Sequence, residues 1–252
     1  MLSKNQIKKL RSLQRKKERK NTGLYVVEGK KIVNEVLNSS TDWIELYATL
    51  AWFQKHPKYI ALDNSFEMSE KDLAQVSTLK TPNEVLLVLK QKDEIDFAEV
   101  GSDKIILALD GVKDPGNMGT IIRLADWFGV KHVLCTSDSV DQYNPKTVQS
   151  AMGSINKVQL HYGNLVQMLS DLNSHQIYAC DLDGESIYKT QFADKTILIM
   201  GSESHGISDD ILDLVNSKVT IPSVSNSEID SLNVASATAI SLSVFRSQSG
   251  LF

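Results

Sequence analysis

Asn117, Gly119 and Arg123 stand in the stretch Leu109-Asp110-Gly111-Val112-Lys113-Asp114-Pro115-Gly116-Asn117-Met118-Gly119-Thr120-Ile121-Ile122-Arg123, where an apolar run breaks into a glycine-rich loop that opens a helix. Backbone N–H groups at a helix start, glycines that admit a ligand and a guanidinium one turn inside make such a junction receptive to an anion. The familiar nucleotide loops do not match. Gly111-x4-Gly116 is followed by Asn117-Met118 instead of Lys and Ser or Thr, and no G-x-G-x-x-G follows a strand. Nucleotide hydrolysis and dinucleotide redox chemistry therefore lose their main support. Ser202-Glu203-Ser204-His205-Gly206 approaches a nucleophile elbow, but its first glycine is replaced by Ser202, and a sharp strand-to-helix turn needs small residues on both flanks of the serine. Two later segments end strands in polar residues: Leu198-Ile199-Met200-Gly201-Ser202-Glu203, and Ile221-Pro222 followed by Ser231-Leu232-Asn233-Val234 at the start of a small-residue helix. Ser231 and Asn233 are also ordinary helix caps.

These residues need elements to hold them. Ile105–Leu109, His132–Thr136, 158–161, 177–180, 197–200 and 218–221 read as short strands, alternating with helical stretches at 117–128, 145–152, 165–172 and 208–215. That rhythm implies βαβ units and a parallel sheet, whose ligands bind beyond the carboxyl ends of strands. The preceding part reads as a small α/β unit: a basic helix, strands at 24–27, 44–47, 59–62 and 84–89, and helices at 30–37 and 70–76, the last capped by Ser69. The polar stretch 91–104 marks a boundary near residue 95, giving domains 1–95 and 104–252.

At 252 residues, with 42% hydrophobic and 23% charged residues, the chain suits one large or two modest globular domains, and no apolar run approaches a membrane span. The start lacks the apolar core of a signal peptide, so the expected compartment is cytoplasmic. Cys135 and Cys180 lie in strand-like apolar runs, and neither they nor the five histidines have metal-ligand spacing, so no metal is expected. The net charge of −4 hides an asymmetry: residues 1–31 hold eleven of the 27 Lys and Arg but only two of the 31 acidic residues. Lys4, Lys8, Lys9, Arg11, Arg15, Lys16, Lys17, Arg19 and Lys20 form a cationic face, interrupted by Ile7, Leu10 and Leu13 at helical spacing. On an otherwise acidic chain this favours contact with a polyanion such as nucleic acid.

Taken together, Asn117-x-Gly119-x-x-x-Arg123, Gly201-Ser202-Glu203-x-x-Gly206-Ile207, and Ile221-Pro222 with Ser231-Leu232-Asn233-Val234 resemble the three ordered motifs of the SpoU, or TrmH-type, RNA ribose 2′-O-methyltransferases. The resemblance covers roughly residues 104 to 246. Leu10 to Gly29, with Leu24-Tyr25-Val26-Val27-Glu28-Gly29, is similar to the L30e-like substrate-binding domain that precedes the catalytic domain in ribosomal-RNA members. Two places depart from the family pattern: Ser204 where a second glycine is usual, and a glycine-free loop over 223–230.

The resemblance implies an α/β protein whose C-terminal parallel sheet carries a trefoil knot. It implies methyl transfer from S-adenosylmethionine to a ribose 2′-hydroxyl, with 23S-type ribosomal RNA as substrate and a homodimer as the working form. A transfer-RNA substrate, or a non-catalytic RNA-binding protein of the same fold, is the alternative. By the same resemblance Arg123 is the catalytic residue, Asn117 and Glu203 orient it and the ribose, and Ser231 and Asn233 fix the closing loop. Gly201, Ile221, Leu232 and Leu182 are expected to line the cofactor pocket. A guanidinium stays protonated, so Arg123 is better suited to hold a phosphate and stabilise a developing alkoxide than to act as a base.

Overall fold

The computed structural model describes residues 1–93, 97–224 and 231–249. Most of the loop over 223–230 thus lies outside the described residues, as do residues 94–96 next to the expected boundary. Two compact units emerge: Met1–Asp93 with Asp141–Asn156, and Glu94–Val140 with Lys157–Phe252. The segment Asp141–Asn156, expected inside the second domain, groups with the first.

In the first unit, strands β1 (Leu24–Glu28), β2 (Glu45–Ala48), β3 (Ser65–Glu67) and β4 (Val85–Lys90) form a sheet of order β1-β4-β2-β3, antiparallel except for the β2–β3 pair. Helices Lys30–Leu37 and Glu70–Val76 have the expected bounds, the latter with a Ser69–Asp72 capping box. The single basic helix is corrected to two, Lys4–Ser12 and Lys16–Thr22, the second ended by Gly23 in the left-handed conformation. Leu10 and Leu13 turn into a core with Tyr47, Met68, Leu73 and Leu86. Arg19 is corrected from a member of the cationic face to a buried residue, 3% exposed. Its guanidinium donates to the carbonyls of Leu13 and Gln14 and to Asp141 Oδ2 at 2.6 Å. The carbonyls left over where the first helix ends attract a cation, and this one is drawn inward. The expected strand over 59–62 is instead a 3₁₀ turn, Pro57–Tyr59, with Ile60 and Leu62 exposed. Proline at the first position starts a turn there, and the strand forms later, at β3.

The second unit is a six-stranded parallel sheet: β5 (Ile105–Leu109), β6 (His132–Thr136), β7 (Gln159–Gly163), β8 (Gln176–Ser186), β9 (Thr196–Met200) and β10 (Ser217–Thr220), in the order β10-β8-β9-β5-β6-β7. Strands β5 and β9, buried along their whole length, form its centre, as a sheet covered on both faces requires. Strand β8 runs past its expected end because β10 pairs with it in two pieces. Lys218 faces Ala179 and Val219 faces Glu185, so residues 180–184 form an excursion. Gly184 permits this, since a Cβ there would lie 2.5 Å from the Val219 nitrogen. Helices Pro115–Trp127 and Val234–Gln248 pack on one another.

Candidate active site

The three segments singled out in the sequence meet at the carboxyl ends of the central strands. The first follows β5, the second follows the adjacent β9, and the third opens the helix Val234–Gln248. The chain before Asn117 is fixed by Asp114, whose side chain caps the helix by accepting from the Asn117 N–H at 2.8 Å, with Pro115 at the first helical position. Asn117 is therefore not the cap; it sits at the third helical position and its side chain is released for other contacts. The Asp-Pro pair was the readable signal of that start.

Asn233 determines the rest. Its Oδ1 caps the last helix, accepting from Ala235 N at 3.0 Å and Ser236 N at 3.3 Å, so its Nδ2 must point away from the helix. That nitrogen donates to Glu203 Oε1 at 2.9 Å and to Asn117 Oδ1 at 3.0 Å. With its oxygen engaged, Asn117 turns its own Nδ2 to Glu203 Oε1 at 2.8 Å. The three side chains close a triangle in which every amide orientation follows from the helix cap. Glu203 Oε1 takes two amide donors, and Oε2 has no hydrogen-bond partner among the described residues.

Glu203 is carried on a tight loop. Ser202 and Gly206 bridge through N–H to O contacts of 2.9 and 3.0 Å, and Gly206 has φ 68°. Gly201 is pressed against the far side: a Cβ there would lie 2.3 Å from the Gly206 carbonyl carbon. Ser204 Oγ and His205 Nδ1 are 2.8 Å apart, but in an exposed turn and not at a strand-to-helix elbow, so the serine-hydrolase geometry is not formed.

Arg123 lies on the Pro115–Trp127 helix, exposed, and makes no hydrogen bond with Asn117, Glu203 or another described residue. Ser231 is exposed and likewise outside the triangle. The structure thus joins Asn117, Glu203 and Asn233 and gives Arg123 and Ser231 no hydrogen bond to them. Of the four residues expected to line a cofactor pocket, two fall at strand ends. Leu182 is in the β8 excursion, Gly201 directly follows β9, Ile221 directly follows β10, and Leu232 precedes the last helix. Leu182 is 69% and Leu232 48% exposed, large apolar surface left uncovered where the strands end. Lys218 braces the excursion, its Nζ 3.0 Å from Asp181 Oδ2 and 3.2 Å from Asp183 Oδ1. Both cysteines are poor nucleophiles: burial pushes the Cys180 thiol up to about 11 and that of Cys135 further still. Among the described residues no group of His, Cys, Asp and Glu is placed to hold a metal ion, and no helix is long and apolar enough to cross a membrane.

A parallel sheet with polar loops gathered beyond its central strand ends defines an α/β protein of the kind whose ligands bind beyond those ends. The model of the SpoU rRNA Methylase family matches residues 104–243, and that of the MRM3-like substrate binding domain matches residues 4–87. The chain belongs to the SpoU rRNA methylase family. It is 29% identical over 247 residues to the 23S rRNA (guanosine(2553)-2′-O)-methyltransferase RlmP of Bacillus subtilis, covering 94% of this chain and 95% of the relative. A Porphyromonas gingivalis protein assigned to the TrmH family of RNA methyltransferases superposes with a TM-score of 0.85 at 36% identity, covering 98% of this chain and 99% of that one. The AdoMet-bound rRNA methyltransferase from Sinorhizobium meliloti does so with a TM-score of 0.86 at 26% identity, covering 98% and 96%.

Proposed function

We propose that the protein transfers a methyl group from S-adenosylmethionine to a ribose 2′-hydroxyl of 23S-type ribosomal RNA. The observation that carries this reading is the Asn117–Glu203–Asn233 triangle, which ties the three family motifs into one site. A transfer-RNA substrate or a non-catalytic role is not favoured, since the 23S rRNA enzyme RlmP aligns over nearly the whole chain.

The strand ends suit the cofactor's chemistry. Exposed Leu182 and Leu232, with Ile221 and Gly201, offer apolar walls and open backbone for an adenine and a thioether chain. These residues would hold S-adenosylmethionine, whose sulfonium supplies an electrophilic methyl group. The protein then has to align the hydroxyl and help it lose its proton. Glu203 offers its free Oε2 to the ribose, while Asn117 and Asn233 keep that carboxylate fixed. Arg123, exposed and unpaired among the described residues, holds the neighbouring phosphate and stabilises the alkoxide as it forms. Ser231 steadies the entry to the last helix.

The N-terminal region, 1–95, supplies RNA affinity and the region 104–252 the chemistry. Lys4, Lys8, Arg11 and Arg15 line an open groove on the first unit, suited to a phosphate backbone. A homodimer is the working form. Trp127, 83% exposed, shares a face of its helix with Thr120 and Arg123, and a second copy would cover it. The trefoil knot belongs to the same proposal. The action is cytoplasmic.

Mapping ribose methylation across ribosomal RNA with and without the gene tests the substrate: one site is expected to disappear, and an unchanged map removes the ribosomal assignment. Calorimetry tests the cofactor, since no detectable heat with millimolar S-adenosylmethionine would remove the enzyme reading. Sedimentation of the purified protein tests the dimer.

A further inference from the structure

We infer that Asp110 is a positioning residue that sets the reach of Glu203 by holding both ends of its loop; the inference rests on the catalytic reading of Glu203 given above. The loop is closed on itself by the Ser202–Gly206 bridge and by the packing of Gly201 on Gly206 and Ile207. A loop so closed moves as one piece. Where Glu203 lies then depends on the residues that enter and leave the loop, Met200 and Ser208.

Asp110 contacts both. Its backbone N–H donates to the Met200 carbonyl at 3.0 Å, and its Oδ2 accepts from Ser208 N at 2.8 Å and Ser208 Oγ at 2.8 Å. Ser208 is the N-cap of the short helix Asp209–Leu212, a position where the hydroxyl ordinarily turns back to its own helix. It accepts no such cap bond here, and its O–H donates to Asp110 Oδ2. Bonds to a carboxylate are stronger than neutral ones, so Asp110 fixes the direction of the Ser208 hydroxyl. Asp110 also directly follows β5 in the segment that delivers Asn117, a partner of Glu203. One stretch of chain thus supplies an amide to the carboxylate and anchors the loop that bears it.

The test compares Asp110→Ala, Asp110→Asn, Ser208→Ala and Glu203→Ala. Methyl transfer is measured from labelled S-adenosylmethionine to large-subunit ribosomal RNA from cells lacking the gene, alongside amide hydrogen exchange over residues 201–208. Asp110→Ala is expected to lower kcat by roughly 10- to 100-fold while both KM values stay within about threefold, and to speed exchange in the loop but not in β9. Asp110→Asn keeps an acceptor for both Ser208 donors and is expected to recover to within about threefold of wild type. Ser208→Ala, which removes only the hydroxyl bond, should shift exchange the same way by less, and it serves if Asp110→Ala does not fold. Wild-type turnover and exchange in Asp110→Ala, with turnover abolished in Glu203→Ala, would overturn the inference and leave the site reading standing. The same holds if Asp110→Asn is no better than Asp110→Ala. Unchanged turnover in Glu203→Ala would overturn the site reading itself and this inference with it.

Discussion

Replacing Asn233 by Asp changes one group: the Nδ2 that donates to Asn117 and Glu203 becomes an oxygen, while the Oδ1 that caps the last helix stays. An aspartate caps a helix as well as asparagine does, so the loss of stability comes from the two Nδ2 bonds and not from the cap, about 1–2 kcal/mol. The new carboxylate oxygen then faces the Glu203 carboxylate, and the triangle cannot close. We expect turnover to fall by at least ~100-fold with only a modest fall in melting temperature, a separation that activity assays beside calorimetric melts would reveal. Asn233→Ala, by contrast, should lose both the cap, about 1 kcal/mol, and activity. Arg123→Lys is the parallel test beside the triangle: it keeps the charge and loses the two-pronged grip, and turnover near wild type would count against the role assigned to Arg123. The family resemblance marked Asn117, Glu203 and Asn233, while glycines and apolar runs marked the loop-to-element junctions where they stand. Their mutual bonds were not readable. The amide orientations follow from the cap at Asn233, and the Asn117 side chain is free to join them because Asp114, three residues earlier, caps its helix.

At the scale of elements, the parallel strands were legible because buried β5 and β9 are unbroken apolar runs bounded by polar loops. What the pattern missed is decided by partners distant in sequence. The eleven-residue β8 exists past Cys180 only because β10 pairs with its far end, and the break in the basic helix depends on Arg19 turning back on the preceding carbonyls. Gly201 is the element-level test of the Glu203 loop. Ala at this position has its methyl inside the Gly206 backbone, so the loop must open, at a cost of about 1–3 kcal/mol. Gly201→Ala should melt lower and bind S-adenosylmethionine more weakly by calorimetry. A second test lies in β6 and β7, where His132 Nδ1 and His161 Nε2 are 3.1 Å apart, with Asp103 and Lys131 close by. Burial, and then the neighbouring His132, push His161 down to about 4. In the unfolded chain this group takes a proton near pH 6.5, so between pH 6.5 and 4 the unfolded state binds more protons. Stability is therefore fully present above pH 6.5 and falls as pH drops towards 4. Urea midpoints at pH 5 should lie below those at pH 7.5, and His161→Gln should shrink the difference.

Over the whole molecule, the largest departure from the linear reading is the return of Asp141–Asn156 to the first unit, which no local pattern in that segment announces. The sequence predicts a helix at 145–152, found at Pro145–Ala151, but not which core receives it. Charge is a different kind of evidence, because it acts at long range and survives errors of one turn in the element assignment. Of the nine cations from Lys4 to Lys20, expected on one helix, eight belong to two helices and Arg15 stands at the N-cap of the second. Arg19 is buried and Lys9 pairs with Glu45 at 2.7 Å, yet Lys4, Lys8, Arg11, Arg15, Lys16, Lys17 and Lys20 remain exposed. If Lys8 and Arg11 neutralise phosphates, each contact releases counterions, and log Kd against log salt has a slope of about 0.7–0.9 per contact. The double variant Lys8→Ala/Arg11→Ala should therefore bind ribosomal RNA with a slope shallower by about 1.5, measured by filter binding at several salt concentrations. Its affinity for S-adenosylmethionine and its melting temperature should be unchanged, because both side chains are exposed and neither forms an ion pair with a described residue. An unchanged slope would place the RNA on another surface of the protein and reduce the basic groove to a solvated face.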